Sequence, residues 1–140
     1  MKTTKITYWI ATIIIFLFDG LLPALTSNTE LARQGISHLG YPDYFRVMLT
    51  VFKITGAIVL ILPVIKGRLK EWAYAGIVFE LSGAVASHAA CGKWEDSIAP
   101  LSLLCLAIAS WALRPASRTL ETLFHAGGHK RERSSASASI

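Results

Sequence analysis

Four ionisable side chains, Asp19, Lys53, Glu80 and His88, stand inside runs that are otherwise apolar enough to cross a bilayer. Each ionisable group held near the bilayer centre costs about 2.5–3.5 kcal/mol even on the mild insertion scale, so a chain that carries several must pair them or use them. Counting about 1.5 Å per residue from the span ends puts Asp19, Lys53 and Glu80 within one or two helical turns of mid-depth, where they can meet only across helices. Two carboxyls against one ammonium leave one surplus negative charge. Either one carboxyl keeps its proton or a cation fills the site. His88 lies nearer the outer end of its run and carries a group that ordinarily titrates near physiological pH, which extends the set into a candidate proton path. These four are the candidate binding residues. The competing reading is structural: a Lys53–Glu80 pair can fix the register of a small bundle, and a lone histidine is more often a hydrogen-bonding link between helices than a catalytic group.

The elements that must position these residues follow from composition. The chain has 140 residues, 53% hydrophobic and 16% charged, with mean hydropathy +0.48. That is enough for one domain and too apolar for an ordinary soluble one. Four apolar stretches, near 6–25, 44–63, 72–92 and 98–113, approach the roughly 17–25 residues a bilayer requires. The fourth is short, reaching only about 24 Å, so Arg114 is expected to snorkel or the helix to begin earlier, near Ser97. The first run is read as an uncleaved helix rather than a signal peptide, because Asp19 interrupts its apolar core.

Charge then orients the spans. Lys2 and Lys5 precede the first, Lys66, Arg68 and Lys70 separate the second from the third, and Arg114, Arg118, Lys130, Arg131 and Arg133 follow the fourth. Positive residues favour the cytoplasmic side, so the expected architecture is all-α: a four-helix transmembrane bundle with both termini cytoplasmic. Tyr8, Trp9, Trp72, Tyr74 and Trp111 fall at the inner ends and Tyr41, Tyr44 and Trp94 at the outer ends, as interfacial belts require. Between the first two spans, Asn28 is expected to cap a short surface helix that stops at Gly40 and Pro42. The membrane domain covers 1–115. The remainder, 116–140, reads as a basic, Ser/Ala-rich cytoplasmic tail, disordered at its end, with Leu120, Leu123 and Phe124 resting on the inner interface.

Spacing adds detail. Ala73, Gly76, Glu80, Gly83 and Ser87 form a small-residue seam on the third segment, where a partner helix is expected to approach closely. Lys53 and Gly56 begin a similar seam on the second, and Ser102, Cys105, Ala109 and Ala112 make one on the fourth. Several chemistries are excluded. The sequence pI near 9.5 comes from short connections and the tail, not from a nucleic-acid module. Cys91 and Cys105 are expected to be free thiols, and no spacing suits a metal. Only His88 lies in a span, which leaves no pair of axial ligands for haem. Phosphate loops, dinucleotide fingerprints and nucleophile elbows are missing.

The runs His38-Leu39-Gly40-Tyr41-Pro42, Lys53-Ile54-Thr55-Gly56-Ala57, Leu69-Lys70-Glu71-Trp72-Ala73-Tyr74-Ala75-Gly76, Gly83-Ala84-Val85-Ala86-Ser87-His88 and Trp111-Ala112-Leu113-Arg114-Pro115 resemble the DoxX-like family of small bacterial membrane proteins over roughly residues 5 to 115. The resemblance implies four helices in the bacterial cytoplasmic (inner) membrane, multi-pass, and a link to membrane redox complexes and oxidative-stress handling. Lys53, Glu71, Gly76 and His88 fall on positions of the family pattern; no catalytic role transfers with them, and Asp19 is not anchored in it. The functional expectation is an accessory or quinone-associated subunit of a membrane redox system, not an independent enzyme, with quinone as the cofactor to test. Its partners are the lipid bilayer, redox subunits and further copies of itself, and not nucleic acid. The alternatives are a small cation or metabolite transporter or binding protein, and a structural assembly factor.

Overall fold

The computed structural model describes residues 2–65 and 67–115. The tail assigned to 116–140, with its basic and apolar residues, and Lys66 in the connection lie outside the described residues. Within them the chain is helical and contains no strand: α1 (Lys2–Thr26), α2 (Glu30–His38), α3 (Asp43–Ile61), α4 (Arg68–Ala90) and α5 (Glu95–Leu113). Each long helix touches two others, so that α1 packs on α3 and α5, and α4 packs on the same two. Thr12 of α1 and Tyr74 of α4 both meet Ser110 near the end of α5, so α5 runs antiparallel to both.

Three of these helices, α1, α3 and α5, are long and apolar enough to cross a membrane. The fourth long helix, α4, spans 23 residues, about 34 Å, but differs from the expectation in apolarity. Arg68, Lys70, Glu71, Glu80 and His88 dilute its hydrophobic residues. Helix α5 begins with a 3-10 turn at Glu95–Ser97, earlier than the apolar pattern alone, which gives it the length its apolar part lacks.

The core gathers Ile15 from α1, Leu60 from α3, Tyr74, Ile77 and Leu81 from α4 and Ala107 from α5. One end is tied by hydroxyls. Tyr74 Oη and Ser110 Oγ are 2.8 Å apart, Ser110 Oγ and Thr12 Oγ1 are 2.8 Å apart, and Thr12 donates to the Tyr8 carbonyl at 2.8 Å. Each hydroxyl has one proton, so the order runs Tyr74 to Ser110 to Thr12 to the backbone. Beside it, Lys70 is fully buried and its Nζ donates to the Val59 and Leu60 carbonyls at 2.8 and 2.6 Å, satisfying oxygens at the end of α3 that have no partner within that helix.

Two expectations for the connections change. The cap of α2 is Thr29, whose extended backbone lets its hydroxyl accept from Ala32 N at 3.3 Å. Asn28 instead accepts from Arg46 Nη1 at 3.1 Å, and the same guanidinium reaches Asp43 and the Ser27 carbonyl, pinning α2's approach to the start of α3. Gly40 takes φ +83°, a left-handed value that ends the helix as expected.

Candidate functional site

Helix α1 is irregular where it carries its carboxylate. Phe16–Leu21 forms a π-helical stretch, and both Asp19 and Gly20 are buried within it. A wider turn of this kind re-aims side chains that a regular helix would place elsewhere. Gly20 also permits contact with α3: a Cβ built there would stand 2.4 Å from the Ala57 Cβ. That approach brings Asp19 within reach of Lys53, one helical turn before Ala57 on α3.

Lys53 Nζ donates to Asp19 Oδ1 at 2.5 Å and forms a second ion pair with Glu80 Oε1 of α4. Three helices thus converge on one ammonium. Asp19 is 1% exposed, and its Oδ2 has no hydrogen-bond partner among the described residues. Lys53 and Glu80 keep 16% and 15% of their side-chain surface, which faces a cavity. His88 does not join this cluster. It lies eight residues beyond Glu80 on the same helix, about 12 Å along the axis, lining the same cavity with a buried Nδ1 that has no partner among the described residues.

The cavity lies between α3 and α4 and has a volume of about 750 Å³. Ile36, Leu39 and Tyr41 line it at the His88 end, where Tyr41 Oη and Ser87 Oγ are 2.8 Å apart. Aromatic and aliphatic side chains wall the remainder. Phe52 at 63% and Phe79 at 78% exposed flank Lys53 and Glu80, so the opening is lateral, between the two helices.

The seam on α4 has a different role from the one its spacing suggests. Ala73, Gly76, Glu80, Gly83 and Ser87 do share a face, but no atom stands within 4 Å of where a Cβ on Gly76 or Gly83 would be, and all five line the cavity. Small residues there make room instead of a helix contact. The close contact is made by Gly20, outside any seam. On α3, Gly56 meets Ile77 at ordinary van der Waals distance. On α5 the inward face is Leu103, Leu104, Ala107 and Ser110, whereas Ser102, Cys105 and Ala112 are exposed. The reason is that hydroxyl partners for Tyr74 and Thr12 draw Ser110 inward and rotate the helix accordingly. Both cysteines are free.

Sequence reasoning did not single out a second polar cluster at the opposite end of α4 from His88. Glu71 accepts from Arg114 Nη2 at 2.7 Å and from Trp111 Nε1 at 3.1 Å, and the guanidinium lies 4.9 Å over the Trp111 ring and 5.9 Å from the Tyr74 ring centroid. Arg114 therefore packs between rings and a carboxylate instead of extending to an interface. The signal was present in the run Trp111 to Arg114, which puts cation and indole three residues apart on one face.

No curated protein and no solved structure matches this chain. A family model described as the DoxX-like family matches residues 7–110, most of the chain, including Asp19, Lys53, Glu80 and every residue that lines the cavity. The chain is a DoxX-like family membrane protein.

Proposed function

We propose that this protein is a multi-pass subunit of the bacterial cytoplasmic membrane, with four spans and both termini inside, that serves a membrane redox system by holding a lipid-soluble carrier of the quinone type. The single observation that carries the reading is the lateral cavity. It combines a mostly apolar, aromatic wall with a few convergent polar groups, the usual composition of a small-molecule site. Its volume of about 750 Å³ suits a ring with part of an isoprenoid chain.

A bound quinone would supply electron and proton carriage. The chain's own part is to bind and orient it. Aromatic rings from α3 and α4 offer stacking faces, the imidazole of His88 offers a hydrogen bond at one end, and Lys53 with Glu80 offers a donor and a proton-holding oxygen at the other. Helix α4 fits as a fourth span despite its polarity, because Glu80 meets Lys53, Lys70 meets carbonyls of α3, and Glu71 meets Arg114.

The test is titration of the detergent-purified protein with a short-chain quinone, read through Trp72 fluorescence. Saturable quenching that is lost in Trp72→Leu and weakened at least tenfold in His88→Ala is the expected result. Quenching that never saturates, or that persists unchanged in both variants, overturns the proposal.

A further inference from the structure

The charge balance of the cavity points to a ligand class that redox service does not require. Asp19 and Glu80 supply two carboxyls and Lys53 one ammonium, which contacts both across three helices. Asp19 commits only Oδ1 to that ammonium, and its Oδ2 has no hydrogen-bond partner among the described residues. No other cation enters the cluster among the described residues, since Lys70 is bound to α3 carbonyls, Arg46 to the Asp43 connection and Arg114 to Glu71. The cluster becomes neutral in only two ways: one carboxyl holds a proton, or a second positive charge is supplied from outside.

The wall beside it suits that second charge. Phe52 and Phe79, next in the chain to Lys53 and Glu80, line the cavity that Glu80 faces, and aromatic faces attract a poorly hydrated cation, the more so where water is scarce. A small inorganic ion would need a shell of oxygens, which this wall does not provide. An organic cation with an apolar body would need only the carboxylate and the rings. The lateral opening between Phe52 and Phe79 admits such a molecule from the lipid without passage through either aqueous face.

We propose that the cavity binds amphipathic organic cations, meaning a protonated or quaternary amine or a phosphonium on an apolar body, with Glu80 as the counter-charge and the bound cation replacing a proton at the cluster. The inference uses the same cavity as the quinone reading but not its redox role, and the two can fail separately.

Tetraphenylphosphonium and tetraphenylborate have nearly the same size and shape and opposite charge, so they isolate the sign of the field from the apolar fit. Calorimetric titration of the full chain in a neutral detergent is expected to give a dissociation constant at least tenfold lower for the phosphonium than for the borate. Glu80→Gln is expected to weaken phosphonium binding at least tenfold. Lys53→Gln, which leaves a larger negative surplus, is expected to strengthen it, whereas a purely structural role for the cluster would make both variants weaker. Should either variant fail to fold, the comparison of the two ions on the unmodified chain still decides. Equal binding of both ions, preference for the borate, or no heat with either overturns the inference. A short-chain quinone that binds while the phosphonium does not would remove this inference and leave the redox reading standing, and the reverse pattern would do the opposite.

Discussion

Lys53 is the residue whose loss would strand the most charge. Removing the ammonium leaves two carboxylates facing each other away from water, and breaking a buried ion pair from one side costs about 3–5 kcal/mol. Lys53→Met is therefore expected to lower unfolding stability in detergent by about that amount, read by chemical denaturation. The triple variant Asp19→Asn, Lys53→Met, Glu80→Gln is expected to recover most of the loss, because it removes every uncompensated charge. No recovery would mean that Lys53 matters through its methylene packing. These three residues could be read from the sequence because charges inside apolar runs are costly and few. Lys70 could not. It sits among the basic residues of a connection, where a positive charge is ordinarily a topology signal, and only the fold reveals that its Nζ ends on two carbonyls. Thr12 and Ser110 are equally silent, since single hydroxyls in a span are too common to mark a network, and Tyr74 reads as an interfacial ring although it is buried in the core.

Periodicity located the long helices but misjudged what one of their faces does. A stripe of small residues at helical spacing lets a neighbour approach, yet it creates a hollow when the neighbour's backbone stays away, and the sequence is the same in both cases. The π-helical stretch over Phe16–Leu21 does have a mark in the sequence, because Pro23 follows it within the same helix and has no N–H to give to the Asp19 carbonyl, but a proline does not say what form the irregularity takes. Its consequence is measurable. Gly20→Ala forces a methyl toward Ala57 and is expected to cost about 1–3 kcal/mol in unfolding stability, while Ala57→Gly in the same chain restores much of it. Additive losses in the double variant would show that Gly20 is needed for the backbone of that turn and not for the approach of α3.

For the whole molecule, charge and hydropathy agree on topology in the sequence, and the helix contacts add the reason α4 can sit among apolar neighbours. Its Lys70, Glu71 and Glu80 are matched within the fold, so its hydropathy by itself understates its fitness for a membrane. Alkaline phosphatase, which is active only outside the cytoplasm, should report activity when fused after Lys93 and none when fused after Arg68. The opposite pattern would invert the proposed orientation, and equal activity at both points would mean that α4 does not cross.

The lateral opening beside Phe52 and Phe79 has a thermodynamic consequence of its own. A hollow that faces hydrocarbon is filled by acyl chains whenever nothing else occupies it, so arrival of any guest is an exchange with lipid and not the filling of a void. Occupancy then follows the guest's mole fraction in the leaflet instead of its concentration in water, and diluting the protein at a fixed lipid-to-guest ratio should leave the bound fraction unchanged.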